Sequence, residues 1–83
     1  MGIVEDVADE LALESLKIIN ATGDDAFVRQ VADAIGGSSQ TMEEAYLTAV
    51  RVRRAEQRAR AVLDKLSDEI ASALPKPGND GAA

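Results

Sequence analysis

Residues 42 to 74 read MEEAYLTAVRVRRAEQRARAVLDKLSDEIASAL, thirty-three residues without a glycine or proline, ended by Pro75. A proline has no amide hydrogen and clashes with the preceding turn, so a helix running this far stops there. About nine turns at 1.5 Å per residue span roughly 50 Å. A helix of that length is the axis of any fold an 83-residue chain can make, and a surface for contact. Ala45, Ala49, Val52, Glu56, Ala59, Leu63, Leu66, Ile70 and Ala73 recur at alternating spacings of four and three, the seam of a heptad pattern. Eight of these nine are apolar; the early seam is rich in alanine and the late seam is bulky. Met42, Tyr46 and Val50 widen the apolar face over the first third alone. The start of the helix is therefore predicted to be buried on two sides and its later part on one.

Two shorter helices precede it. Val4, Val7, Ala8, Leu11, Ser15, Ile18 and Ile19 share one helical face over about 3–20. Leu13 lies opposite that face and Leu16 on its flank, with Ala21-Thr22-Gly23 breaking the helix. Phe27, Val28, Val31, Ala34 and Ile35 give a second apolar face over about 24–35, capped by Asp24 or Thr22 and ended by a left-handed glycine at Gly36-Gly37. Thr41, with Glu44 three residues on, matches a capping box for the long helix over 42–74. The fold class predicted is all-α, a short, short, long arrangement in one domain over 1–76. The three helices form either an antiparallel hairpin with one broken arm or a three-helix bundle whose last third projects. Residues 77–83, Pro-Gly-Asn-Asp-Gly-Ala-Ala, have the composition of a disordered tail. Either arrangement leaves the late apolar stripe short of cover in one chain. That predicts a homodimer held through Val52, Glu56, Ala59, Leu63, Leu66 and Ile70.

A chain of this size buries only about 60% of its unfolded surface, so a partner that adds area has much to add. The chain has no cysteine and no histidine, which removes the commonest general base and the best nucleophile and leaves no thiolate metal site. No enzyme activity and no cofactor are predicted. No apolar run approaches the roughly 18–20 residues that span a bilayer, and Met1 to Asp6 lack a basic leader. The expectation is an untargeted, cytoplasmic protein of bacterial type, with no membrane partner.

Net charge is −6, but unevenly placed. Residues 1–44 carry ten acids against Lys17 and Arg29, a balance of −8, while residues 45–83 carry seven bases against five acids, +2. Such asymmetry predicts that one half of the fold neutralises the other. Arg51, Arg54, Arg58 and Lys65 share a stripe opposite the heptad seam, a candidate contact for an acidic protein partner or for phosphate. Lys65 with Glu69, and Glu56 with Arg60, stand at the spacing of ion pairs within a helix. Arg53 and Arg60 flank Glu56, the one charged seam residue, a type that sets register in coiled coils.

Ala32 and Gly36 four apart, Ser38 in the turn, and Met42 and Ala45 at inward positions together resemble the helix-turn-helix of DNA-binding regulators and phage packaging subunits. The resemblance covers about twenty residues, 28–45, and implies that the long helix opens as a reading helix. Two positions depart from it: Gly37 stands where an apolar residue is usual, and Glu43 and Glu44 would face phosphate. Nucleic acid is therefore not the expected partner. The predicted function is a small non-enzymatic protein–protein interaction module, an adaptor or regulator that self-associates through its last helix. The alternative is a helix-turn-helix-like regulator or packaging-type subunit.

Overall fold

The computed structural model describes residues 2–74. Among them are three helices and no strand: α1 (Ile3–Thr22), α2 (Phe27–Gly36) and α3 (Gln40–Ala73). The tail expected over 77–83 lies outside the described residues. No helix among them is long and apolar enough to cross a membrane.

The helix ends follow local chemistry, and several differ from the sequence expectation. The Glu5 carboxylate accepts from the Gly2 amide at 3.0 Å and, with Asp6, places negative charge on the first turn of α1. α1 runs on to Thr22 and ends at Gly23, whose φ of 74° is left-handed and whose amide donates to the Ile19 carbonyl at 2.7 Å. Asp24 was expected inside α2; instead its carboxylate accepts from the Ala26 amide at 2.8 Å in a side-chain turn. That competes with helix, and α2 begins at Phe27. The glycine pair after α2 is not left-handed either: Gly37 sits at φ −61°. Gly36 instead leaves room for Glu43, whose carboxylate lies where a β-carbon would be. Ser39, not Thr41, caps α3, accepting from the Met42 amide at 3.0 Å.

α1 and α2 each pack on α3 far more than on each other. Ala8, Ala12, Ala32, Tyr46 and Val50 form the core, edged by Leu11, Val28, Val31, Ile35, Met42 and Leu47. Three of the five core residues are alanines, so the helices approach closely and little apolar volume is enclosed. The inward face of α1 is rotated from the expectation: Leu16 and Ile19 are buried, while Ile18 is exposed. Ser15, late in α1, hydrogen-bonds Tyr46, early in α3, while Asp9 pairs with Arg53 further along. Yet the end of α1, at Leu16 and Asn20, borders Gln57. α1 therefore runs in the same direction as α3, its start beside Thr41 and Ala45, with the long Tyr46 and Arg53 side chains reaching along the helix to Ser15 and Asp9. Both short helices thus sit on the first half of α3, and every residue from 57 to 74 is exposed. The molecule is accordingly long and thin, 67 × 30 × 14 Å.

Candidate functional site

The arginines of α3 divide into two sets. Arg53 grips Asp9 of α1 with two bonds, Nε to Oδ1 at 2.8 Å and Nη2 to Oδ2 at 2.6 Å. Its remaining arm, Nη1, donates to Glu56 at 3.0 Å, and Arg60 Nε donates to the other oxygen of Glu56 at 2.9 Å. The Arg53 hydrogen bonds hold the Asp9 carboxyl below its ordinary range. Bonds from Arg53 and then Arg60 do the same for Glu56. The same contacts raise the Arg53 pKa. Arg54 reaches Asp25, before α2, at 2.9 Å, and Arg29 of α2 lies 3.7 Å from Glu43 of α3. The acidic first half and the basic middle of the chain therefore do meet across helix packing.

Of the four cations on the outer stripe, Arg54 is engaged in this way and two-thirds covered. Arg51, Arg58 and Lys65 are exposed and make no ion pair among the described residues. The expected Glu56–Arg60 pair forms; Lys65 with Glu69 is not among the ion pairs of the described residues. The spacing alone shows Arg53 only as a flank of Glu56. Its partner Asp9 is 44 positions away, and only the packing of α1 on α3 brings them together.

The six seam residues lie along one side of α3. Val52, Leu63, Leu66 and Ile70 are 48–60% exposed, Ala59 is exposed, and Glu56 is half-covered by its arginines. Leu74, equally exposed, extends the same side at 100° per residue, whereas Val62 projects to the flank, about 20° from Arg51. The seam count ends at Ala73 and passes over Leu74, although its place four residues after Ile70 is legible in the spacing. Toward the start of α3 this side opens into a groove of about 480 Å³, floored by Ala8, Ala45, Thr48, Ala49 and Val52 and rimmed by Thr41 and the carboxylates of Glu5, Asp9 and Glu44. Bulky apolar side chains thus stand on the bare half of α3, and a recess with a floor of small residues and a rim of carboxylates on the packed half.

Among the described residues, no three acidic, histidine or cysteine side chains gather as metal ligands. No protein-family model, no curated protein and no solved structure matches this chain.

Proposed function

We propose that this chain is a non-enzymatic, cytoplasmic interaction module that works as a homodimer, associating through the exposed side of α3. One observation carries this: Val52, Leu63, Leu66, Ile70 and Leu74 lie on one side of a helix with roughly half of each side chain in water. A contiguous stripe of that kind marks a contact surface, whereas single exposed apolar residues are ordinary. Half-burial of such a side chain contributes about 1 kcal/mol, so ten of them across a dimer supply on the order of 10 kcal/mol. Association costs about 4–15 kcal/mol in lost freedom. The two are comparable, so the dimer forms reversibly. Arg51, Arg58 and Lys65, on the outer side of α3, remain for an acidic protein partner that the assembled module would recruit.

Sedimentation equilibrium of the wild type and of Leu63→Ala/Leu66→Ala tests the reading. The wild type is expected to shift from monomer to dimer with concentration, and the double variant to need at least tenfold more protein. A wild type that stays monomeric at millimolar concentration would overturn the proposal.

A further inference from the structure

We infer that the second copy lies antiparallel along the whole of α3, so that Leu63, Leu66 and Ile70 of each copy cover Val52, Ala49 and Ala45 of the other. This rests on the self-association proposed above and adds its direction and register.

Three features of the chain point to that arrangement. The first is shape. The recess between α1 and α3 is floored by Ala8, Ala45, Thr48 and Ala49 and rimmed by Glu5, Asp9 and Glu44, and the bulky residues lie about four to seven turns further along the same side of the same helix. Side chains that interdigitate place large against small. A parallel pair would set Leu66 against Leu66 and Ile70 against Ile70 and leave both recesses empty. The antiparallel pair fills each recess with the other copy's leucine and isoleucine.

The second is the seam charge. Glu56 stands on the seam between Arg53 and Arg60. In a parallel pair it meets its own copy; in the antiparallel register it meets Ala59, and the two arginine-clamped carboxylates stay staggered about the symmetry axis.

The third is the charge of the two halves. Residues 2–56 carry eleven acids against five bases, −6, whereas residues 57–74 carry three of each and are neutral. A parallel pair sets two like-charged bundles side by side. The antiparallel pair separates them by about 30 Å along the axis, at 1.5 Å per residue, several times the screening length of about 8–10 Å at physiological salt. Each bundle then lies beside a neutral, bare helix. Because that half of α3 carries neither α1 nor α2, the partner's bundle has room there.

The chain has no native cysteine, so single labels can be placed at will. Ser72→Cys and Gln57→Cys, both exposed and off the seam, are each spin-labelled. Distances within the dimer are then read by pulsed electron resonance, with sedimentation run in parallel. The antiparallel register gives a Ser72→Cys pair about 45–50 Å apart, from the helical rise, and a Gln57→Cys pair about 20–25 Å apart, from the width of two helices with their side chains. Two short distances mean a parallel dimer and overturn this inference while leaving self-association standing. Two equal distances near 30 Å, again from the helical rise, mean an antiparallel overlap limited to the bare halves, with Leu63 on Leu66, and overturn the register. A monomer in sedimentation with no dipolar coupling overturns the proposed function along with it.

Discussion

Tyr46 is the one large side chain fully buried, and its hydroxyl lies 2.7 Å from Ser15 Oγ. The Ser15 hydroxyl donates to the Leu11 carbonyl at 2.9 Å, so Tyr46 is the donor to Ser15. In a core made largely of alanine, this relay fixes where α1 sits on α3. Tyr46→Phe removes a donor and is expected to cost about 1 kcal/mol; Ser15→Ala strands the buried phenol and should cost about 1–3 kcal/mol. The double variant should cost less than the sum, and a double-mutant cycle by urea denaturation measures that coupling. Simple additivity would mean the bond does not position the helix. The Asp9–Arg53–Glu56–Arg60 network makes a different, pH-dependent contribution. Asp9 and Glu56 have folded pKa values depressed below the ordinary 3.8 and 4.5. Their stabilisation is therefore present above those values and is lost as pH falls through the lower folded ones. Both carboxylates are open to solvent, so the effect is small. Melting curves from pH 6 to pH 2 should show Asp9→Asn losing less stability than wild type below about pH 4, a window set by these carboxylates.

The helix ends carry the punctuation that holds α1, α2 and α3 apart. Ser39→Ala removes the acceptor for the Met42 amide and is expected to lower stability by about 1 kcal/mol. Gly23→Ala has open space around it but must adopt φ 74°, and is expected to cost about 1 kcal/mol for that reason alone. Thermal denaturation checks both, and a neutral Gly23→Ala would mean that the α1–α2 turn relaxes freely. What was legible in the sequence follows from how local each signal is. Three helices and the long uninterrupted third one were legible, because periodicity, Gly23 and the residues around Ser39 act within a few positions. The start of α2 was placed three residues early, because an aspartate can cap a helix or close a turn with the same carboxylate. The face of α1 differs from the expectation by about one position in the turn, Leu16 for Ile18, because which edge of an apolar face is buried depends on where α3 packs against it. The apolar side of α3 was legible as a pattern. Which half of it lies bare depends on where α1 and α2 land, and hence on contacts such as Asp9–Arg53 that no local window contains.

At the scale of the whole molecule, the charge balance decides between the surfaces that α3 offers. A chain of net charge −6 is repelled by phosphate, Arg53 and Arg54 are engaged with Asp9 and Asp25, and Glu43 and Glu44 open α3. Duplex DNA is therefore expected to bind no more tightly than the nonspecific range of about 10⁻⁴–10⁻⁶ M at 150 mM salt. A nanomolar, sequence-dependent complex lost on Arg51→Ala/Arg58→Ala would instead make the helix-turn-helix resemblance functional. Salt separates the remaining possibilities, because the interactions respond with opposite sign. A dimer built on an apolar seam joins two chains of net charge −6. Even with their charged halves about 30 Å apart, residual repulsion acts at low salt, where the screening length is longer, so added salt strengthens the dimer. An acidic partner held by Arg51, Arg58 and Lys65, or a phosphate backbone, is attracted across water and is weakened by the same screening. Raising sodium chloride from 50 to 500 mM is therefore expected to increase the dimer fraction in sedimentation and the concentration-dependent part of the melting temperature. Both should rise together, since a partner that binds only the folded state stabilises by mass action. A dimer that dissociates as salt rises would place its contact on the arginine stripe, and Leu63 and Leu66 would then be free to change without effect.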